Sequence, residues 1–323
     1  MSNHQPRSAR IVPKGHMPST PPHVGIIIPI WNGLDDTLEC LNSLKDLTYP
    51  HFFIIVVDNG STDGSAAAIA AWSKSHLDVA VLKNKTNMGF TVGCNLGIQY
   101  ALSQSIDYIL LLNNDTTITP DFLSILIDVS EKDEGIGMAG PKIYQYGTER
   151  IIDSAGISAI PWLAQPFSRG HGETDKGQYD TQEDCPYITG CALLVKRHVI
   201  EHIGMLDEDY INYLEDFDWG YRAHLQGYRL VYVPQSRIYH KGSKTSGLWS
   251  PFYYYHNTRS RILFARKHIT LLLFLFVFLP YLLSYRFMIP ALRLIRHRQW
   301  NHLRALRTGI QNGFTAELTS KIR

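Results

Sequence analysis

The stretch VGIIIPIWNGLDDTLECLNSLKDLTYPHFFIIVVD, residues 24–58, decides the fold class. It opens with the β-branched run 24–30, continues with leucines that recur every three or four positions from Leu34 to Leu44, and closes with the apolar run 52–57. The order strand, helix, strand is typical of parallel βαβ units. This stretch therefore predicts an α/β fold.

The same alternation continues to residue 112. A helix is expected after Ser61-Thr62-Asp63, where a side-chain oxygen can cap the free amides. A strand at 79–82, a helix at 93–104 and a strand at 107–112 follow. These elements predict a doubly wound, mostly parallel sheet.

The second half of the chain is less regular. Strand-like segments occur at 137–143, 192–195 and 229–233, and the last is expected to end near Pro234. A segment rich in Gly, Pro and Asp lies at 145–189, and loops of this length usually carry function or an acceptor site.

The charge of the chain is strongly asymmetric. Residues 1–218 contain 14 Lys and Arg against 28 Asp and Glu, whereas residues 219–323 contain 17 against one. A basic bias on this scale indicates a polyanionic partner, which leaves nucleic acid, nucleotide phosphates and an anionic membrane surface as candidates. We expect one catalytic domain with a basic appendage, because 323 residues are long for one domain and short for three.

The apolar run 269–283 favours a membrane among these partners. Basic residues flank it on both sides, but it is shorter than the ~20 residues of a spanning helix, and Pro280 interrupts it. We expect peripheral or re-entrant association with anionic lipid. A buried core helix or an oligomer contact is the alternative. Nucleic acid is disfavoured because the aromatic residues cluster in one block and do not alternate with basic ones.

The termini and cysteines suggest where the chain works. Residues 1–22 lack apolar periodicity and are expected to be disordered. No signal peptide pattern opens the sequence, and the four cysteines form no C-x-x-C pair. We therefore expect the protein to be located at the cytoplasmic face of the cell membrane.

Polar residues follow the strand at 107–112. Asn113, Asn114 and Asp115 come directly after it, and oxygen ligands at the end of a parallel strand suit Mg²⁺ or Mn²⁺. An ordinary β-turn would begin in the same way. Asp58, at the end of the second strand, is placed to accept hydrogen bonds from a base or ribose, or to act as a turn residue.

Several motifs together resemble family 2 glycosyltransferases, in particular their rhamnosyltransferase-like branch of cell-surface polysaccharide synthesis. The resemblance covers about residues 24–245. Its motifs are Pro29 to Asn32, Asp58 to Ser65, Asn87-Met88-Gly89-Phe90 with Asn95, Asn113 to Asp115, Thr189-Gly190-Cys191-Ala192, Glu215 to Trp219 with Arg222, and His240-Lys241-Gly242-Ser243.

The resemblance implies a GT-A fold, a dTDP-, UDP- or GDP-linked sugar donor, a divalent metal and inverting transfer. Asp115 and His240 are the expected metal ligands. Many relatives carry Asp-x-Asp, whereas this chain has Asn113 at the first position. Three contacts are open to the Asn113 amide: the metal, the ribose or water. The residues expected to bind the donor are Pro29, Trp31, Asn32, Asp58, Asn59, Gly60, Asn87, Gly89, Asn113, Asn114 and Lys241.

The acceptor hydroxyl needs a general base, and an acidic cluster supplies candidates. The family pattern makes Asp216 the expected base and lets Glu215 orient the acceptor. Asp218 is expected to pair with Arg222, and both are assigned with Trp219 to the acceptor side. A solvated acidic first helical turn is the alternative.

The sequence thus predicts three regions: a disordered segment 1–22, a glycosyltransferase domain 23–245, and a basic membrane-associating region 246–323. The expected acceptor is a lipid-linked glycan or polysaccharide, and nucleic acid is not expected. The alternatives are a catalytically degenerate sugar-nucleotide-binding module and a nucleotidyltransferase. The latter would favour a basic, Gly-rich loop after the first strand, which residues 29–33 do not form.

Overall fold

The computed structural model describes residues 20–74, 78–148, 150–242 and 249–319. The expected disorder at 1–22 concerns mostly residues 1–19, which lie outside this part of the chain, as does Ser243 of the His240 motif.

The elements are numbered in chain order. The strands are β1 (Val24–Ile30), β2 (Phe52–Asp58), β3 (Val79–Lys83), β4 (Tyr108–Leu112), β5 (Thr116–Ile118), β6 (Ile136–Gln145), β7 (Ile152–Ser154), β8 (Ile157–Ile160), β9 (Gln165–Ser168), β10 (Glu183–Asp184), β11 (Ala192–Lys196) and β12 (Arg229–His240). The helices are α1 (Leu34–Ser43), α2 (Ser65–Ser73), α3 (Phe90–Leu102), α4 (Phe122–Glu131), α5 (Arg197–Ile203), α6 (Glu215–Leu225), α7 (Pro251–His268), α8 (Leu271–Arg296) and α9 (Trp300–Thr315).

One large sheet forms the centre of the molecule. Its strand order is β10-β12-β6-β11-β4-β1-β2-β3, with β5 beside β12 and β7 beside β6. The pairs β1–β2, β1–β4, β2–β3 and β6–β12 are parallel, and β11 is antiparallel to both its neighbours. Apolar clusters cover both faces of the sheet, as buried parallel strands require. The predicted α/β, mostly parallel sheet is confirmed.

The last strand is longer than its sequence pattern suggested. We expected it to end near Pro234, but β12 continues to His240. Its pairing with β6 shifts register between Val233 and Arg237, which places Pro234 in an irregular segment where its missing amide breaks no regular ladder hydrogen bond. This continuation carries His240 to the same region as β5.

The apolar C-terminal run also differs from the expectation. Pro280 does not interrupt it, because wider π-helical turns at 274–278 and 282–288 accommodate the chain on either side. The helix α8 continues for 26 residues, about 39 Å, and is long and apolar enough to cross a membrane by those criteria alone. The prediction of a short, broken segment is therefore wrong.

The C-terminal region shares the main core. Ile262, Leu263 and Phe264 of α7 are fully buried in the apolar cluster that covers one face of the sheet. The ring of Phe264 stacks on Phe217 of α6 at 4.4 Å. The core therefore extends beyond residue 245.

The basic residues that precede the apolar run face the protein. Lys267 forms ion pairs with Asp207 and Asp209, and His268 contacts Asp218 through Nε2. Arg266 donates to carbonyl oxygens at the end of α9. The expectation that this flank lies against lipid headgroups is therefore wrong.

Replacing Phe264 by Ala tests whether α7 belongs to the core. We expect Phe264→Ala to lower the free energy of unfolding by about 3–5 kcal/mol, because it leaves a cavity in a fully buried aromatic stack. Chemical denaturation measures this change. Leu225→Ala, at an exposed position on α6, is the control. Equal losses for the two variants would contradict a structural role for α7.

Candidate active site

A cavity of about 670 Å³ opens at the carboxyl ends of β1, β2 and β4. Parallel pairing sets Ile30 opposite Asp58 and Ile27 opposite Leu111, so these strands end at the same edge of the sheet. Ligands of open α/β sheets bind at this edge. The volume falls within the ~300–1,000 Å³ typical of small-molecule sites.

The cavity wall brings together residues from distant parts of the sequence. The expected site residues that line it are Pro29, Trp31, Asn59, Asn87, Asn113, Asn114, Asp115, Glu215, Asp216 and His240. They come from strand ends, from the start of α6 and from the end of β12, so the fold closes a site that the sequence distributes over more than two hundred residues.

Asp115 and His240 form one side of the cavity. His240 Nε2 lies 3.4 Å from Asp115 Oδ1, and His240 Nδ1 lies 2.8 Å from Asp153 Oδ2. A carboxylate on the far nitrogen of an imidazole fixes the ring and directs the other nitrogen, as it does for metal-binding histidines. Asp153 lies in the long loop region but was not singled out from the sequence.

The donor set of this pair fits a divalent cation. One carboxylate oxygen and one imidazole nitrogen converge from Asp115 and His240. Within the described ranges, no cluster of three or more His, Cys, Asp or Glu side chains forms a fuller metal cage. A cation held by two protein ligands keeps other positions for substrate phosphates, which is how Mg²⁺ is commonly bound.

Glu215 and Asp216, at the start of α6, also line the cavity. The Asp216 carboxylate accepts one hydrogen bond from the Gly190 amide and one from the Phe217 amide, both at 2.8 Å. Glu215 is 7% exposed, and its Oε2 has no hydrogen-bond partner among the described residues. Amide donors favour an ionised carboxylate, and an isolated buried oxygen favours the neutral acid.

The two carboxyl groups therefore differ in protonation. Burial, and then the charge of Asp216, raise the pKa of Glu215 to about 8. Burial also raises the pKa of Asp216 above its ordinary value, while its amide donors oppose that effect. The amide donors favour the charged form of Asp216, whereas the buried, unpartnered Oε2 favours the neutral acid for Glu215, which could then donate its proton to a bound hydroxyl or carbonyl.

Asn59 organises the loop that forms another part of the wall. Its amide nitrogen donates to Asn87 Oδ1 and to the Gly89 carbonyl, and its oxygen accepts from Asn84 and Met88. This one side chain holds the segment between β3 and α3 against the end of β2.

The two glycines assigned to donor binding have a packing role. Neither Gly60 nor Gly89 lines the cavity. A Cβ on Gly60 would lie 2.8 Å from the backbone of Thr86, and one on Gly89 would lie 2.8 Å from the carbonyl oxygen of Ile211. Both have positive φ, 79° and 92°. Glycine permits the close approach of the loops around the site.

Comparison with known proteins identifies the family. Residues 25–204, more than half of the chain, match the family model described as "Glycosyl transferase family 2". The chain belongs to glycosyl transferase family 2.

Curated members of the family are distant in sequence. The chain is 25% identical over 226 residues to an N-acetylglucosaminyl-diphospho-decaprenol L-rhamnosyltransferase of Mycobacterium tuberculosis, covering 64% of this chain and 72% of that protein. It is 26% identical over 233 residues to a poly-beta-1,6-N-acetyl-D-glucosamine synthase of Staphylococcus epidermidis, covering 70% of this chain and 52% of the synthase. The resemblance to family 2 is confirmed.

Solved structures with the same fold include two glycosyltransferases. GalNAc-T7 with UDP, GalNAc and Mn²⁺ matches with a TM-score of 0.61 at 18% identity, over 75% of this chain and 48% of that one. The mannosyltransferase PcManGT of Pyrobaculum calidifontis, with GDP-Man and Mn²⁺, matches with a TM-score of 0.55 at 17% identity, over 93% and 78%. The GT-A fold is confirmed.

The structure contradicts the assignment of Trp219 to the acceptor pocket of this family 2 enzyme. Its indole is fully buried and donates to the Gly204 carbonyl at 2.8 Å. Asp218 and Arg222 are also absent from the cavity wall, although their expected ion pair is present at 2.8 Å. Only the first turn of α6 faces the cavity, because the side of the helix that carries Asp218 and Trp219 packs in the core.

Lys241 does not line the donor cavity either. Its Nζ forms ion pairs with Asp36 and Glu39 on α1. Contact between Lys241 and a diphosphate stays a prediction. Its backbone amide does donate to the Asp115 carbonyl and thereby ties the end of β12 to the metal side.

Asn32 and Asp58 stabilise turns beside the site. Asn32 Oδ1 accepts from the Thr62 amide, and Asp58 Oδ1 accepts from the Ser61 amide. Neither lines the cavity, and Asp58 is 3% exposed. The turn role that the sequence left open for Asp58 is present, and contact between its carboxylate and a donor stays a prediction.

Sequence reasoning missed part of the wall. Tyr187, Asn212, Phe252 and Asn257 line the cavity without having been singled out. Tyr187 could have been found from the sequence, because it lies in the long, polar segment 145–189 that was expected to carry function. Nothing local marks Asn257, because it lies inside a helix whose contacts come from distant residues.

Glu215→Gln tests the buried neutral acid. Between about pH 4.5 and 8 the folded chain keeps the Glu215 proton and the unfolded chain loses it, so wild-type stability should fall as pH rises, by at most about 1.4 kcal/mol per pH unit. The variant should lack this component. Denaturation midpoints across this pH range measure it, with the exposed Glu134→Gln as control. Identical pH profiles for Glu215→Gln and wild type would refute the assignment.

Proposed function

We propose that this protein is an inverting glycosyltransferase that moves a sugar from a nucleotide diphosphate to a hydroxyl of a lipid-linked or polysaccharide acceptor. The observation that carries the proposal is that one cavity holds the Asp115–His240 pair and the Asp216 carboxylate on different parts of its wall. Displacement at an anomeric carbon needs a binding site for the leaving diphosphate and a base on the opposite face of the sugar.

The donor side rests on the metal-type pair and on the structural relatives. Both solved glycosyltransferases described above contain a nucleotide or nucleotide sugar with Mn²⁺. Asp115 and His240 would hold Mg²⁺ or Mn²⁺, which when bound neutralises charge on the leaving diphosphate. Asp153 keeps the His240 ring oriented, and Asn113 and Asn114 offer neutral amides to the nucleotide, whether it carries dTDP, UDP or GDP.

Asp216 is the proposed general base. Its two amide hydrogen bonds fix the carboxylate, while burial makes it more basic than an exposed aspartate. It accepts the proton of the acceptor hydroxyl as the oxygen attacks the anomeric carbon. Neutral Glu215 donates a hydrogen bond that orients the acceptor, so the two adjacent carboxyl groups have different roles.

Asp216→Asn is the central test. We expect the rate of sugar transfer to fall by about 10²–10⁴-fold, since an amide of the same shape cannot accept the proton. Donor binding, measured as metal-dependent thermal stabilisation, should persist because the substitution leaves the donor side intact. Turnover at the wild-type rate would remove Asp216 as base.

Two alternatives make different predictions for the native protein. A degenerate binding module, for which Asn113 in place of Asp is the motivation, binds sugar nucleotides without any turnover. A nucleotidyltransferase would release diphosphate from a nucleoside triphosphate and sugar phosphate. Assays of the native protein for sugar transfer from sugar nucleotides, and for diphosphate release from a nucleoside triphosphate with a sugar phosphate, separate both from a glycosyltransferase.

We further propose that the enzyme works at the cytoplasmic surface of the membrane. The M. tuberculosis relative is named for an acceptor with a diphosphate and a decaprenol. In this chain, α8 exposes Leu272, Phe276 and Leu292 by 69%, 74% and 64%. Its other face is buried through Phe278 and Leu282. A helix that leaves most of its apolar window exposed in this way suits insertion of that surface into a membrane.

Replacing Leu272, Phe276 and Leu292 together by Gln tests the membrane-facing surface. We expect more than a tenfold loss of affinity for vesicles with anionic phospholipid, because each apolar side chain contributes about 1.5 kcal/mol or more when buried. Co-sedimentation measures it. The control replaces three exposed apolar residues elsewhere, Trp162, Phe167 and Leu225, by Gln. Equal binding by the two triple variants would contradict the assignment of α8.

A further inference from the structure

A second cavity of about 190 Å³ lies between α7, α8 and α9. We call it the arginine pocket and define it by six of its lining residues: Tyr253, Tyr254, Asn257, Arg286, Ile289 and Arg293. It is smaller than the ~300 Å³ at which sites for whole small molecules begin, so it suits a headgroup and not a nucleotide sugar.

The arginine pocket shares a wall with the active-site cavity. Asn257 lines both cavities, and the other wall residues of the active-site cavity include Asp216. A molecule bound in the arginine pocket therefore adjoins, at Asn257, the cavity that Asp216 also lines. The donor diphosphate is proposed to bind at Asp115 and His240, which line the large cavity and not the arginine pocket.

Positive charge around the arginine pocket is uncompensated. Asn257 Oδ1 accepts hydrogen bonds from both Arg261 and Arg286, at 2.9 Å each, so two guanidinium groups share one neutral oxygen. Across the described residues, no carboxylate forms an ion pair with Arg261, Arg286 or Arg293. The sequence explains this, because residues 219–316 contain no Asp or Glu.

The free-energy cost of this uncompensated charge falls mainly on Arg261, which is 4% exposed. Burial and the neighbouring charge of Arg286 lower the pKa of Arg261 to about 9. Buried charges are usually paired, and an anion in the pocket would supply the missing counter-charge. Arg286 and Arg293 line the pocket and present guanidinium groups, which bind phosphate oxygens well.

The surroundings indicate that the anion is carried by a lipid. Trp249 and Tyr285 also line the pocket and are both 57% exposed. Tryptophan and tyrosine favour the boundary between headgroups and acyl chains. Ile289 of α8 also lines the pocket and is 57% exposed, so a phosphate bound there lies next to exposed apolar surface of α8.

We propose that the arginine pocket binds the diphosphate headgroup of the lipid-linked acceptor and sets the attached sugar against Asp216. This inference rests on the proposed function and adds a site for the acceptor headgroup. Arg286 and Arg293 bind the phosphates, buried Arg261 adds positive charge beside Arg286, and Asn257 lies where the headgroup meets the attached sugar.

Single charge removals on α8 test the proposal. Arg286→Gln and Arg293→Gln each remove a pocket guanidinium, and the Arg293 side chain has no hydrogen-bond or ion-pair partner within the described segments whose loss could disturb folding. Arg296→Gln removes the same charge from the same helix outside the pocket. Binding is measured to phosphatidylcholine vesicles that contain polyprenyl diphosphate, and to vesicles with phosphatidylglycerol at equal surface charge.

We expect both pocket variants to lose about tenfold in affinity for polyprenyl diphosphate vesicles, against less than threefold for Arg296→Gln. On phosphatidylglycerol vesicles the three variants should lose equally, and inorganic pyrophosphate should weaken wild-type binding to the polyprenyl lipid. The proposal is overturned if the pocket variants lose no more than Arg296→Gln. It is also overturned if they lose as much on phosphatidylglycerol, since the pocket would then attract any anionic headgroup.

The donor measurement keeps this result separate from the proposed function. Thermal stabilisation of wild type and all three variants by a sugar nucleotide with metal requires no lipid. If donors stabilise every variant and lipid binding does not discriminate between them, the headgroup site is wrong and the glycosyltransferase stands. If no donor stabilises or reacts with the wild-type protein, the proposed function itself fails.

Discussion

The parallel register of β1, β2 and β4 is the constraint on which the active site depends. Since these strands pair in parallel, their carboxyl ends lie at one edge, and each chain segment leaving the sheet there contributes to the same cavity. The segments are then held by short polar contacts, of which the four hydrogen bonds of Asn59 are the densest. Close loop packing at Gly60 and Gly89 is a consequence of this convergence.

Environment, more than residue type, separates the roles of the acidic side chains. Asp115 lies beside an imidazole that Asp153 orients, Asp216 accepts two backbone amides, and Glu215 has a buried oxygen without a partner among the described residues. The three carboxyl groups therefore have three different environments, which suit the proposed metal ligand, the proposed base and the proposed hydrogen-bond donor respectively. Asp218, two positions after Asp216, is neutralised by Arg222 and His268 and belongs to the core.

The apolar residues of the C-terminal region fall into two groups, one buried in the core and one exposed on the surface. Its first helix completes the core through Phe264, whereas α8 keeps Phe276 exposed and buries Phe278. The excess of basic residues is likewise divided. Lys267 is paired inside the protein, while Arg286 and Arg293 line a cavity without carboxylates paired to them among the described residues. An apolar surface next to unpaired arginines is the combination that a lipid with a phosphate headgroup matches.

The sequence by itself determined the order of strands and helices from residue 24 to residue 112 and the strand-end residues Asp115 and Asn113, because hydrophobic periodicity and strand ends are local features of the chain. Tertiary structure decided which polar residues face the cavity. Asp153 meets His240 across 87 positions, and Lys241 is drawn to Asp36 across 205. No local pattern encodes such distances, since they follow from how the sheet and its loops close. The closed fold buries Trp219 in the core and places Asn257 where it lines both cavities.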